Sequence, residues 1–153
     1  MRIRARSTAV AIMGALLCWS AYAQAPAVRA ERELFAAVNQ ARQAQGRASV
    51  KWDDALATAA RRHAEVMAQR GSAQHSFEGE PSLSVRARQA GAHFTWLAEN
   101  VTQGVTAESV HSAFMKSASH RANILDTDMD SIGVGVAEQT GRLFAVEDFS
   151  KAR

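Results

Sequence analysis

Cysteine occurs once in the 153 residues, at Cys18. One thiol cannot build an internal disulfide framework, and no CxxC or zinc-knuckle spacing is present. Proline occurs twice, and neither low-complexity tracts nor internal repeats appear, which excludes collagen-like and proline-rich chains. No apolar run reaches the roughly 18 residues wanted for a membrane span. No Gly-rich phosphate loop or dinucleotide fingerprint is present. Charge of one sign is not in large excess, with 18 Lys and Arg against 15 Asp and Glu. What remains, at 47% apolar and 22% charged, is the composition of one ordinary globular domain.

The first residues carry their own pattern. Arg2, Arg4 and Arg6 form a basic start, Ala9 to Trp19 is apolar, and Ala21 and Ala23 supply small side chains at an A-x-A site. This is the make-up of a secretory signal peptide over residues 1–23, with cleavage expected after Ala23. Cys18 would leave with it. Leu16 and Leu17 stand where a lipoprotein signal would want a small residue before the Cys, so no lipid anchor is expected. Removing the leader leaves 15 residues of each charge, and the basic balance disappears. No dense Lys/Arg patch then points to nucleic acid. A secreted or periplasmic chain without cysteine must be held by its core alone, and about 130 residues suffice for that.

Residues 24–30, with Pro26, read as a flexible tail before a domain over 31–150. Leu34, Ala37, Val38 and Ala41 fall at helical spacing between Glu31 and Gln45, and Gly46 supplies a stop. Val50-Lys51-Trp52 reads as a short extended link. Asp53 is a good N-cap for a second helix to about Arg70, since its carboxylate can accept from first-turn amides. Leu56, Ala59, Ala60, His63, Ala64 and Met67 share one face of it, and Gly71 ends it. Residues 71–84 are rich in turn formers and suit a functional loop. A short helix over Ser84 to Gln89, an extended Phe94 to Val101, and a helix capped by Thr106 and reaching about Ser117 follow. Ile132 to Ala137 and Leu143 to Phe149, joined around Gly141, read as a hairpin. Helices first and a hairpin last predict an α+β fold.

Three stretches put a titratable residue among small or apolar neighbours: Gln74-His75-Ser76, Leu97-Ala98-Glu99-Asn100-Val101, and Ser117 through Leu125 with His120. His75, Glu99 and His120 could supply two imidazoles and a carboxylate to Zn²⁺ or to Fe(II). Their spacing does not bring them together, and from spacing alone they read first as separate surface polar residues. His63, on an apolar helix face, reads as a hydrogen-bonded core histidine. His93 reads as a loop residue and His111 as half-buried. Glu78 and Glu80 could stand beside His75 but read as solvated loop positions. Arg121 and Asn123 read as ties to neighbouring backbone. Of Glu147 and Asp148, one is expected to face away from the core by the two-residue period. Ser76, Ser117 and Ser119 lie near the histidines, but no Gly-x-Ser-x-Gly elbow accompanies them.

Taken in order, Val38-Asn39-Gln40-Ala41-Arg42, Trp52-Asp53, Ala64-Glu65-Val66-Met67-Ala68, His75-Ser76, Ala98-Glu99-Asn100-Val101, His120-Arg121-Ala122-Asn123-Ile124-Leu125, Gly133-Val134-Gly135-Val136 and Val146-Glu147-Asp148-Phe149 resemble the CAP superfamily. This is the group of cysteine-rich secretory, antigen 5 and pathogenesis-related 1 proteins, and the likeness is to its short bacterial form. The resemblance implies a three-layer α-β-α sandwich with a central antiparallel sheet. It also implies a surface cavity, whose histidines match His75 and His120 and whose glutamate matches Glu99. The family's further acidic residue falls on Ser117, so that carboxylate is missing here.

Three classes of function follow. The first is a non-catalytic binding module whose His/Glu cavity holds a divalent metal such as Zn²⁺ or a lipid-like ligand. Phe77, Phe94, Trp96 and Phe114 are its expected apolar border. The second is a cell-envelope interaction or structural protein with a vestigial cavity. The third is a metal-dependent hydrolase or protease, which the missing carboxylate disfavours for want of a general base. The expected partners are a small hydrophobic ligand or an envelope or extracellular protein, and neither nucleic acid nor a membrane span.

Overall fold

A computed structural model describes residues 13–152, with side chains described over 26–151. Residues 1–12 of the expected leader, and the side chains around the expected cut after Ala23, lie outside the described residues. The elements run α1 (Met13–Ala44), β1 (Lys51–Trp52), α2 (Asp54–Arg70), α3 (Leu83–Gln89), β2 (Phe94–Gly104), α4 (Ala107–Lys116), α5 (Ala118–Leu125), β3 (Ser131–Gln139) and β4 (Arg142–Ala152).

The local chemistry that predicted α2 is present. The Asp53 side chain accepts from the Leu56 amide at 2.9 Å. Gly71 takes a left-handed φ of 66°, and the amides of Gly71 and Ser72 return to Ala68 and Met67. That closes the helix in the way a C-terminal glycine permits. Thr106 caps α4 in a reciprocal pair with Ser109. Residues 26–30, expected to be a tail, are helical, and Ala30 is buried in the core. Pro26 removes one amide from α1. Were the chain cut after Ala23, that proline would fall in the first turn of the helix, where a missing N–H costs nothing.

Four strands form one sheet in the order β1-β3-β4-β2. The pairs β2–β4 and β3–β4 are antiparallel, and the hairpin turns at Thr140-Gly141. The extended link at Lys51–Trp52 joins the sheet as a parallel partner of Ser131 and Ile132. The sheet is therefore mixed rather than wholly antiparallel. Its long strands are antiparallel as expected.

Both faces of the sheet are covered. On one, Ile132, Val134, Val136, Ala145 and Phe149 pack with Leu34 and Val38 of α1, Val110 and Phe114 of α4 and Ile124 of α5. On the other, Val101, Phe144 and Val146 pack with Ala60, Ala64 and Met67 of α2. Gly133 and Gly135 make this second contact possible. A Cβ at Gly133 would lie 2.1 Å from the Ala57 amide, and one at Gly135 would lie 2.2 Å from the Ala60 carbonyl carbon. The α2 backbone rests directly on β3. Two covered faces also correct the reading of Glu147 and Asp148. They point to opposite sides of β4, and both are fully buried.

Two arginines, one buried and one half-buried, tie helices to their neighbours. Arg42 of α1 is 1% exposed and donates to the carbonyls of Ala48, Ile124, Asp126 and Met129, anchoring the end of α5. Arg61 of α2 makes a two-pronged contact with the buried Glu31 of α1, at 2.9 and 2.7 Å.

Candidate functional site

Strand β2 is an edge of the sheet, and the two helical layers meet around it. Glu99 lies in this strand, turned towards α2 and α3, with its side chain 4% exposed. His75 comes from the 71–82 loop on that side. His120 comes from α5 on the opposite side, where Asn100 donates to its carbonyl at 3.2 Å. The fold thus gathers three residues that are 24 and 21 positions apart in the chain.

Nδ1 of His75 stands 2.9 Å from Oε1 of Glu99. With Glu99 as the carboxylate acceptor, Nδ1 donates, which turns Nε2 away from Glu99. The other oxygen, Oε2, receives the Arg86 guanidinium in a short ion pair. Arg86 is buried in α3 and also reaches the carbonyls of Pro81 and His75. The His75 side chain is 60% exposed, so the free side of its ring meets solvent. The rings of His75 and His120 are 6.5 Å apart between centroids. Phe114 backs His120 edge-on at 5.3 Å. Burial, then the neighbouring His75, lower the pKa of His120, which favours its neutral form.

A second pair lies behind the first. His63 is fully buried, with Nδ1 2.6 Å from Oε1 of Glu80 and Nε2 2.9 Å from the Gln74 carbonyl. A carbonyl can only accept, so Nε2 donates to Gln74. The core-histidine reading of His63 describes this position. Glu80 departs from its expected role as a solvated residue. Its side chain is 9% exposed, its Oε1 also lies 3.8 Å from Arg86, and its Oε2 accepts from the Phe77 amide. Glu78 is exposed, as is His93, and His111 is half-buried.

Sequence reasoning missed Arg86 and the inward turn of Glu80. A buried arginine in a short helix carries no pattern that separates it from a surface one. The adjacent Ser82-Leu83-Ser84 does not mark it either.

On the α5 side, Asn100 links Glu147, His120 and Asn123. Its Nδ2 donates to Oε2 of Glu147 at 3.0 Å, and its Oδ1 accepts from Asn123 at 2.9 Å. Asn123 also reaches the Glu99 carbonyl, and Arg121 donates to the Met115 carbonyl, so both act as backbone ties. Ser117 pairs with Ser119 at 3.1 Å rather than with a histidine. Burial pushes the Glu147 carboxyl up to about 8.

The donor set suits a divalent ion in part. Two imidazoles sharing one Zn²⁺ place their centroids about 5–6.5 Å apart, given Zn–N bonds of about 2 Å. His75 and His120 stand at the upper end of that range. Glu99 has both oxygens engaged and orients His75, as a carboxylate does behind a metal-bound imidazole. Among the described residues, no group of three or more His, Asp or Glu is poised to hold a metal directly.

The expected aromatic border does not assemble here. Phe114 is in the core under α4, Phe77 packs on α2, Phe94 lies by Leu56, and Trp96 is exposed at the start of β2. Phe77 and Phe94 pack on the α2 side of the sheet, Phe114 packs on the other side, and Trp96 is exposed beyond a register shift in β2, so the four do not line one cavity.

Comparison with known proteins agrees with the fold. The profile of the Cysteine-rich secretory protein family (CAP) matches residues 35–149. Protein YkwD of Bacillus subtilis is 30% identical over 109 residues, which are 71% of this chain and 42% of that protein. The chain therefore spans about two fifths of the length of this relative. An extracellular SCP-domain protein of Bacillus anthracis superposes with a TM-score of 0.79 at 20% identity, over 84% of this chain and 42% of that one. An outer surface protein of Borrelia burgdorferi gives 0.74 at 21% identity, over 82% and 94%. At such identities the structures share the fold.

Proposed function

The chain belongs to the CAP family of cysteine-rich secretory proteins, and from that premise we propose that it is an exported, non-catalytic binding module whose ligand seat is formed by His75, Glu99 and His120. The observation that carries this reading is the engagement of Glu99. One oxygen holds His75 and the other holds Arg86, so the carboxylate orients and does not act as a free base. Glu80 is likewise tied to His63. The remaining expected carboxylate position is Ser117. A hydrolase would usually draw about 10²–10⁴-fold from a positioned general base.

The seat offers ring nitrogens of His75 and His120 to a divalent cation such as Zn²⁺, with Glu99 behind His75. A bound cation would supply positive charge for a polar or anionic head group. The partner would then be a small ligand carrying such a group, or an envelope protein. Export rests on the Arg-rich start, the short apolar run and Ala21-Tyr22-Ala23. The extracellular and outer-surface relatives support it.

Calorimetric Zn²⁺ titration of the wild type, His75→Ala and His120→Ala tests the seat. Binding is expected in the first and lost in the other two, and equal binding by all three refutes the assignment. Assays on casein, peptide libraries and ester substrates with added Zn²⁺ test the absence of turnover. Metal-dependent turnover that a Glu99→Ala, His120→Ala double variant loses would overturn the non-catalytic reading.

A further inference from the structure

Trp96 is 63% exposed, the one large aromatic side chain left so open among the described residues. The pairing of β2 with β4 shifts register between Phe94 and Trp96. Such irregularities at a sheet edge re-aim side chains. Trp96 stands directly across from Lys151. With Thr95, Asp126, Asp128 and Lys151 it lines an open cavity of about 470 Å³. The Asp128 carboxylate lies 3.3 Å from Lys151 Nζ. Thr95 Oγ1 is held by the Lys151 carbonyl, and Asp126 Oδ1 accepts from the Asp128 amide. The groove is therefore braced by its own residues, with one indole and three charged groups at its rim.

We infer that this groove binds a saccharide, with a pyranose ring laid on the Trp96 indole and its hydroxyls meeting Asp126, Asp128 and Lys151. A pyranose has an apolar C–H face and a hydroxyl-bearing edge. It needs one flat aromatic surface and a few charged donors and acceptors, and the groove holds those groups. The volume falls within the roughly 300–1,000 Å³ of small-molecule sites. Other ligand classes fit less well. A lipid would want apolar walls, and every lining residue besides Trp96 is polar or charged. A quaternary ammonium would want several aromatic faces and no ammonium nearby, whereas one indole and Lys151 are present. A protein partner would want aromatic and aliphatic neighbours around the tryptophan, and the other exposed large apolar residues, Val28, Val85 and Val105, do not line this cavity.

The groove is lined by none of His75, Glu99 and His120, so the inference stands apart from the ligand seat. Isothermal titration and saturation-transfer NMR of the full chain would use glucose, N-acetylglucosamine, cellobiose, chitobiose and maltose. At least one is expected to bind the wild type with its ring protons nearest the protein. Trp96→Ala is expected to weaken that binding at least about tenfold, as loss of an aromatic anchor does. Trp96→Phe should recover part of it, Asp128→Asn should weaken it, and His75→Ala should leave it unchanged. No binding by the wild type up to about 10 mM, far weaker than a functional site requires, would overturn the inference. Equal binding by Trp96→Ala would do the same. Loss of binding in His75→Ala with Trp96→Ala unaffected would move the sugar to the histidine seat and overturn it as well.

Discussion

Glu99 and Asp148 stand directly opposite each other on β2 and β4, and the Arg86 guanidinium pairs with Glu99 while reaching Asp148 only through its charge. Neither oxygen of the fully buried Asp148 has a hydrogen-bond donor. Burial, and after it the charge of Glu99, raise the Asp148 carboxyl well above its ordinary value. The Asp148 carboxyl therefore keeps its proton to higher pH than an ordinary aspartate, beside a Glu99 whose charge Arg86 meets. On the far face Glu147 is raised to about 8 by the same burial, opposed by the hydrogen bond from Asn100.

These two acids set the sign of the pH dependence. An acid whose pKa is higher folded than unfolded binds more protons in the native state, so its contribution is complete below the unfolded value and falls as pH rises. For Glu147 the window runs from 4.5 to about 8. Urea unfolding of the wild type is expected to lose up to about 1.4 kcal/mol per pH unit there for each such group. Glu147→Gln, which keeps an acceptor for Asn100, should flatten part of that slope. A stability curve that rises through this window, or one unchanged by the substitution, would contradict the assignment.

Removing Arg86 should be costly, because it strands the buried Glu99 beside Glu80. Arg86→Met is expected to destabilise by about 3–5 kcal/mol, the usual result of breaking a buried ion pair from one side. Adding Glu99→Gln to it should restore part of the loss. A double variant less stable than Arg86→Met alone would show that Glu99 has other compensation.

The contact between β3 and α2 leaves no room for a methyl group. Gly133→Ala would place a carbon about 2 Å from the α2 backbone. The helix must shift or the strand must bend, at about 1–3 kcal/mol or more. Thermal unfolding measures this, and a neutral Gly133→Ala would mean that α2 sits farther from the sheet.

What was legible in the sequence is what is local. Asp53 and Gly71 announce the ends of α2 because capping involves residues three or four apart. The hairpin shows because its strands adjoin across a Gly turn. His75, Glu99 and His120 were found through motif resemblance, since no spacing rule joins a loop, an edge strand and a distant helix. The inward turn of Glu80 and the burial of Arg86 depend on each other and on the packing of α3, and neither leaves a local mark. Glu147 and Asp148 were misread because alternation assigns one wet face to a strand, which fails when helices cover both. Residues 26–30 are helical where a tail was expected, because Pro26 lies inside α1 and the burial of Ala30 leaves no local mark.

The meeting of His75 and His120 around the free edge of β2 has a mechanical consequence. One belongs to the layer under α2, the other to the layer under α4 and α5, and the hydrogen-bonded pairing of β2 with β4 lies on the other side of the strand. Any ligand that bridges the two imidazoles would act as a clasp across an edge with no neighbouring strand. Its binding energy would then oppose separation of the layers, and occupancy would register as a rise in melting temperature with ligand concentration.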